Sequence, residues 1–582
     1  MKNKKGGFKL LLKRLMVYVK PHRSIFWLSV LMDVIAVILN MLIPIFTARA
    51  IDGMITIGNV DFRQIYYCSV VIVLLTSFNS FFDWFGTHLM NVMTYKTNHS
   101  MRLSIYGKLN TVPIKFIDNT PHGDIMNTMI NDVENITDGF LEGFKMVILG
   151  ILQIVTSVVI MFIMKWSLAI LVVVLGPMTL LFAILIAKKS KKFYQEKVEK
   201  QGEISGYVEE MVTNMKITKA FNSEESVIEG FEKYNNELYS VNEKSMFCAS
   251  LANPTSRLLD GLLYGIVGVT GAIMTMYGGL GVGQISAFLN YSDKYTDPIN
   301  DITGIFADLN VAIASMHRVF DLIEQEDEIS DKDLPIMKKC NGEVSLKNVD
   351  FSYSDSFKLI ENLNLEVKQG ERIAIVGPTG CGKSTLINLL MRFYDVKSGS
   401  IKVSGKDIRK VQRHSFRQFY GMVLQESWLY NASIKDNVAY AKPDASMDEI
   451  IEACKLANAH TFIEKMPNGY DTIISERGDN ISAGQKQLLC IARIMLLKPP
   501  MMILDEATSN IDTRTEMKIQ QALDVMMKGR TCFIVAHRLS TIENADMILV
   551  MNKGRVVEQG THKELLKKQG FYYELFNSQF GG

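Results

Sequence analysis

The residues Gly377-Pro378-Thr379-Gly380-Cys381-Gly382-Lys383-Ser384 follow the apolar run Ile373–Val376 and lead into the helix-like stretch Leu386–Arg392. Glycines at these spacings let backbone N–H groups close on phosphate oxygens. The Lys383 ammonium reaches the terminal phosphates of a nucleotide, and the Ser384 hydroxyl offers a ligand to Mg²⁺. Further along, Met501-Met502-Ile503-Leu504 is an apolar run that ends in Asp505-Glu506. Beside a phosphate loop, the first carboxylate holds Mg²⁺ directly or through water, and the second orients or deprotonates an attacking water.

Such groups need a rigid frame. Val344–Leu346, Leu363–Val367, Ile373–Val376 and Met501–Leu504 read as strands, and the last two are apolar throughout, as in a parallel sheet covered on both faces. An α/β domain is therefore expected over residues 343–582. A polar linker over 325–342 precedes it, acidic at its start and carrying Pro335 and Lys338-Lys339.

Residues 1–324 have another character. Phe8–Lys20 mixes leucines with lysines in the manner of an amphipathic helix lying at a membrane surface. Six apolar segments follow, at Ile25–Phe46, Ile65–His88, Val147–Met164, Leu168–Ala187, Leu258–Tyr277 and Ile285–Ile305. Each approaches the roughly 20 residues that cross a bilayer core. Basic residues gather before the first segment, after the fourth and within Tyr95–Lys145, which places those sides and both termini in the cytoplasm. Met90–Phe140 and Lys188–Met246 are polar with helical periodicity and extend the membrane helices into the cytoplasm. Asp33, Asp83 and Asp260 lie within or near the apolar runs, where ionisable groups face a partner or a cavity, and a path for cationic cargo is one expectation for them. Interhelical pairing is the other.

The net charge of +2 and the lack of a basic strip interleaved with aromatics argue against nucleic-acid binding. Seven cysteines are scattered singly, without a C-x-x-C pair, and read as reduced small hydrophobes.

Taken in order, these motifs resemble those of the ATP-binding cassette transporters, in particular exporter-type half-transporters with a membrane domain fused ahead of the nucleotide-binding domain. The resemblance implies that Tyr353, in Phe351-Ser352-Tyr353, stacks on adenine and that Gly377–Thr385 cradles the phosphates of ATP. It implies that Gln425 contacts Mg²⁺ and faces the membrane domain. Ile481-Ser482-Ala483-Gly484-Gln485 is similar to the family signature, Asp505 to its Mg²⁺ ligand, Glu506 to its catalytic carboxylate and His537 to its switch histidine. Ser509-Asn510-Ile511-Asp512 is similar to the loop that crosses to the partner, and Glu209-Glu210 with Lys219–Asn222 to a cytoplasmic helix of these exporters.

In that family two nucleotide-binding domains pair head to tail, so the chain is expected to dimerise and to export amphipathic small molecules, drugs, lipids or peptides by ATP-driven alternating access. The alternative is an ATP-gated sensor or channel. One departure bears on pairing: Ala483 stands where the family has a glycine, and its Cβ restricts backbone conformations and crowds the facing phosphate. Members with an altered signature but an intact glutamate and histidine often pair with a different subunit. A heterodimer is therefore favoured over a homodimer.

Overall fold

A computed structural model describes residues 8–54, 60–277, 279–353, 359–424, 427–475, 480–505, 512–535 and 539–580. The chain divides into two compact units, one of residues 1–111 and 120–326, the other of residues 327–582 together with the short segment 112–119.

The first unit is helical among its described residues. Helix α1 (Phe8–Val19) buries Leu11, Leu15 and Val19, a stripe at the four-residue spacing of one helix face. Its Arg14 pairs with Glu324 at 2.6 Å. Helix α2 (Arg23–Asp52) is followed by α3 (Phe62–Leu109), whose start is fixed by Asp61 accepting the Arg63 and Gln64 backbone N–H groups. At 48 residues α3 runs to about 72 Å, more than twice a hydrocarbon core, so it continues well outside the bilayer.

Helix α4 (Ile114–Asp118) belongs to the second unit, where Asp118 accepts a 2.5 Å hydrogen bond from the Tyr394 hydroxyl. The chain then re-enters the first unit through two π-helical turns, Thr128–Asp132 and Thr137–Glu142, before α5 (Gly143–Leu175). Four more long helices follow among its described residues, α6 (Pro177–Thr213), α7 (Glu224–Ser250), α8 (Ala252–Met276) and α9 (Val282–Ile323), with a short helix at Met215–Ala220 between α6 and α7.

Among the described residues four helical stretches are long and apolar enough to cross a membrane: Lys9–Asp52, Phe62–Leu109, His122–Leu175 and Pro254–Met276. The difference from the six expected segments has two physical causes. The third stretch is interrupted at Lys165, whose φ of −160° and ψ of 103° are extended, so the third expected segment and the start of the fourth share it. The rest of the fourth lies beyond Gly176 in α6, where it runs into lysines. The sixth lies in α9, which carries Asp293, Lys294, Asp297 and Asp301 and is too charged to stand out by hydropathy.

Among its described residues the second unit holds ten strands: β1 (Val344–Phe351), β2 (Ile360–Val367), β3 (Arg372–Val376), β4 (Ser398–Val403), β5 (Lys406–Asp407), β6 (Tyr420–Val423), β7 (Met501–Asp505), β8 (Thr531–Val535), β9 (Met547–Asn552) and β10 (Arg555–Gly560). They form an antiparallel sheet in the order β2-β1-β4-β5 and a second sheet in the order β10-β9-β3-β8-β7-β6. In the latter, β9, β3, β8, β7 and β6 run parallel and β10 is antiparallel at the edge. Helix α10 (Lys383–Leu390) follows β3 and the loop after it, and α11 (Ala483–Leu497) and α12 (Thr513–Met527) pack against each other. One core fills the space between the two sheets and buries Val349, Ile375, Leu386 and Phe533. Another gathers Leu489, Ile491, Ile519 and Met502 around α11.

Candidate functional site

The parallel strands deliver the candidate residues to one edge. In the register of the sheet Ile375 pairs with Val535, and Val535 pairs with Asp505. The phosphate loop begins two residues after Ile375, so it and the Asp505 carboxylate stand at the carboxyl ends of strands separated only by β8, the usual place for a ligand in an open parallel sheet. Val423, on β6, pairs with Leu504, so the chain that continues toward Gln425 leaves the same edge. The chain toward His537 leaves it from β8. Gln425, Glu506 and His537 themselves lie outside the described residues.

The loop has the backbone its glycines permit. Gly377, Gly380 and Gly382 have φ of 153°, 79° and 106°. A Cβ on Gly377 would stand 2.2 Å from the Met551 carbonyl oxygen, so β9 holds that residue to glycine. Lys383 lies back across the loop, donating to the Gly377 carbonyl at 2.8 Å and the Pro378 carbonyl at 3.1 Å. Pro378 is half-buried, and Thr379 and Gly380 are exposed. Cys381 is buried beneath it, and burial pushes its thiol above the ordinary range. Ser384 is exposed in the first turn of α10, at the helix start that follows the loop, whereas Thr385 is buried.

Tyr353 sits beside that turn. Its hydroxyl accepts from Asn388 at 3.1 Å and lies 3.5 Å from the Thr385 hydroxyl, and its ring meets Tyr394 edge to face at 4.9 Å. The sequence reading missed Asn388 and Tyr394. The Phe393-Tyr394-Asp395 run after α10 carried the only available hint, an aromatic following a helix that a phosphate loop opens.

The signature residues build a helix start. Ser482 caps α11: its hydroxyl accepts the Gln485 N–H at 3.2 Å, while the Gln485 side chain accepts the Ser482 N–H at 2.9 Å. Gly484 is buried in the first turn. Ala483 is exposed and helical, which corrects one expectation: its Cβ imposes no backbone conflict, because the position needs only a right-handed helical conformation that alanine favours. Crowding of a facing phosphate is the part of the argument that remains. Asp512 caps α12 by accepting the Thr515 N–H at 2.9 Å, and this backbone bond holds its carboxyl below the usual carboxylate range.

In the first unit Asp33 is buried against Lys145 at 2.8 Å, Asp260 accepts from Asn300 at 3.1 Å, and Asp83 is exposed.

Residues 26–298 match the ABC transporter transmembrane region family, and residues 360–509 match the ABC transporter family. The chain belongs to the ABC transporters. It is 35% identical over 572 residues to an uncharacterized ABC transporter ATP-binding protein, YfiC, of Bacillus subtilis, covering 98% of this chain and 94% of that one. A fatty acid ABC transporter ATP-binding/permease protein of Mycobacterium bovis is 35% identical over 516 residues, 89% of this chain and 82% of its own. An ATP-dependent lipid A-core flippase of Syntrophus aciditrophicus is 32% identical over 569 residues, 98% and 94% respectively. The chain is thus an exporter-type half-transporter: a membrane protein that binds and hydrolyses ATP, works as a dimer and drives transport rather than gating a channel.

Proposed function

We propose that this transporter is one subunit of a heterodimeric exporter that carries amphipathic molecules out of the cytoplasm. The observation that carries the reading is that the chain holds one phosphate loop, at the carboxyl edge of β3, and one signature helix start, at Ser482, so each of its half-sites needs a partner's complement. The names of the fatty acid transporter and the lipid A-core flippase support lipid-like cargo.

On this reading the six apolar segments cross the cell membrane, with both termini and the nucleotide-binding unit in the cytoplasm. Tyr353 stacks on adenine, and the N–H groups of Gly380, Gly382, Lys383 and Ser384 with the Lys383 ammonium bind the phosphates. Residues 377–385 therefore hold the nucleotide, and Asp512, Ser482, Ala483, Gly484 and Gln485 approach the partner's. Glu506 accepts a proton from the attacking water, and His537 holds the terminal phosphate in place. The hydroxyl of Ser384 and the carboxylate of Asp505 are hard oxygen donors near a polyphosphate, a set that suits Mg²⁺, with Gln425 as a further oxygen donor. When bound, the ion neutralises charge that develops on the phosphates. Closure of the two nucleotide units around ATP turns the membrane halves outward, and hydrolysis releases them.

The pairing follows from Ala483. Its exposed methyl group stands in the first turn of α11, where a partner's nucleotide would approach, and weakens the site it faces. The competent site then uses Lys383, Glu506 and His537 of this chain with the partner's signature. Purification of the chain alone and together with a second half-transporter tests this. Low ATPase activity alone and cargo-stimulated activity in the pair are expected; a robust, cargo-stimulated homodimer overturns the heterodimer. Uphill, ATP-dependent accumulation of labelled amphiphile in inside-out vesicles, lost in Glu506→Gln, tests export itself.

A further inference from the structure

Asn388 lies in the second turn of α10, beyond the phosphate loop and the residues that open the helix. Asparagine is a poor residue inside a helix, because its short amide competes with the backbone for hydrogen bonds. Helix formation does not call for it there. Its Nδ2 instead donates to the Tyr353 hydroxyl at 3.1 Å, and that hydroxyl lies 3.5 Å from the Thr385 hydroxyl, three residues earlier on α10.

The same residue shapes the turn after the helix. Its backbone carbonyl accepts the Phe393 N–H at 2.9 Å across Arg392, whose φ of 50° is left-handed. The buried Arg392 guanidinium secures that turn by donating to the Ile408 and Val411 carbonyls at 2.7 and 3.2 Å. The chain so turned presents Tyr394 to Tyr353, edge to face at 4.9 Å, and Phe351 meets Tyr353 in the same manner at 5.0 Å.

These contacts fix different freedoms of one ring. A tyrosine hydroxyl lies on the axis of χ2, so a bond to it sets where the ring points and leaves the ring plane undetermined. The χ2 well is broad, and the two perpendicular neighbours set the plane. Tyr353 still keeps 40% of its surface exposed, and that open part is what a flat base can cover.

We propose that Asn388 is a positioning residue for nucleotide binding: its amide holds the Tyr353 ring, before ATP arrives, in the pose that stacks on adenine. The inference rests on the stacking role given to Tyr353 above and adds a residue that acts only through it. Holding a side chain in its bound pose removes an ordering cost that binding otherwise carries. The gain belongs to the base alone, since the loop and Lys383 bind the phosphates.

Calorimetry on the full-length transporter carrying Glu506→Gln, so that nucleotide is not consumed, tests this with two probes, each with Mg²⁺: ATP, and inorganic tripolyphosphate, which has the phosphates and no base. Asn388→Leu, close in volume and a good helix former, should weaken ATP about three- to tenfold and leave tripolyphosphate unchanged. Tyr353→Phe, which keeps the ring and removes the hydroxyl, should weaken ATP to the same extent, and adding Asn388→Leu to it should cost nothing more. Equal losses for both probes in Asn388→Leu would assign Asn388 to the helix and the phosphate loop and overturn the proposal. So would an ATP affinity that Asn388→Leu leaves intact, or a double variant in which the two losses add. Tyr353→Ala separates this from the stacking reading. If it weakens ATP alone while Asn388→Leu is silent, stacking stands and Asn388 has no part in it. If it leaves ATP as tight as before relative to tripolyphosphate, stacking itself falls and Asn388 has nothing to position.

Discussion

Lys145, on α5, places its ammonium 2.8 Å from the Asp33 carboxylate on α2, and both groups are withdrawn from the surface. Gly86 on α3 closes the third side: its carbonyl accepts from Ser29 at 2.7 Å, and a Cβ on it would stand 2.2 Å from Asp33 Oδ1. The pair thus ties three helices. Lys145→Met should lower the thermal midpoint of the purified transporter by the equivalent of about 3–5 kcal/mol, because it leaves a buried carboxylate unpaired. Asp33→Asn/Lys145→Met should recover more than half of that loss. If the double variant is no more stable than Lys145→Met, the ion pair is not what holds these helices.

Gly86→Ala should act through the same contact. The added methyl group must push Asp33 away from Lys145, and differential scanning fluorimetry should report a loss in the direction and size of Lys145→Met. The alanine should cost little in a Lys145→Met background, since the interaction it disrupts is already gone.

The nucleotide unit was legible from sequence because its chemistry is local. The spacing of Gly377, Gly380, Gly382, Lys383 and Ser384 requires a strand before it and a helix after it, and β3 and α10 are there. Asp505 could be placed at a strand end by the apolar run before it, but its alignment with Ile375 through Val535 depends on strand order, which no local pattern states. The membrane unit was less legible. The interruption at Lys165 and the charge carried by α9 obscure span boundaries, and the partner of Asp33 lies on another helix far along the chain. The altered residue at Ala483 is plain in the sequence, yet only the helix start at Ser482 shows that its backbone is an ordinary helical one.

Gly377→Ala should abolish ATP binding. Its φ of 153° is one that L side chains rarely adopt, and the methyl group would meet the backbone of β9 at Met551, which cannot move without breaking the sheet. Equilibrium binding of a fluorescent ATP analogue should fall below detection while circular dichroism stays that of a folded protein. Retained affinity within about threefold, under half of the 1.4 kcal/mol that a tenfold change represents, would mean that the loop relaxes around the added atom.

Ala483→Gly separates folding from function in the signature. At a helix start glycine should cost up to about 1 kcal/mol relative to alanine, a small fall in the thermal midpoint of the nucleotide unit. If the alanine methyl group is what weakens the site facing it, ATP turnover of the assembled transporter should rise severalfold despite that fall. Turnover that drops along with stability would assign the effect to the helix and remove Ala483 as a ground for unequal subunits.

Asp512 gives a pH dependence whose sign is fixed by its cap. The Thr515 N–H stabilises the charged carboxylate, so its folded pKa lies below the unfolded value of about 3.9. A depressed carboxyl contributes stability that is fully present above the unfolded value and is lost as the pH falls through the folded one. Asp512→Ala should therefore lower the thermal midpoint at pH 7, and the difference from the unaltered protein should shrink as the pH is taken below the carboxylate range. Asp512→Asn, which keeps an oxygen acceptor for the Thr515 N–H, should retain part of the cap and lose its pH dependence. Midpoints for the three proteins across that acid range decide the matter: a gap between Asp512→Ala and the unaltered chain that is constant with pH would show that charge at this helix start contributes nothing.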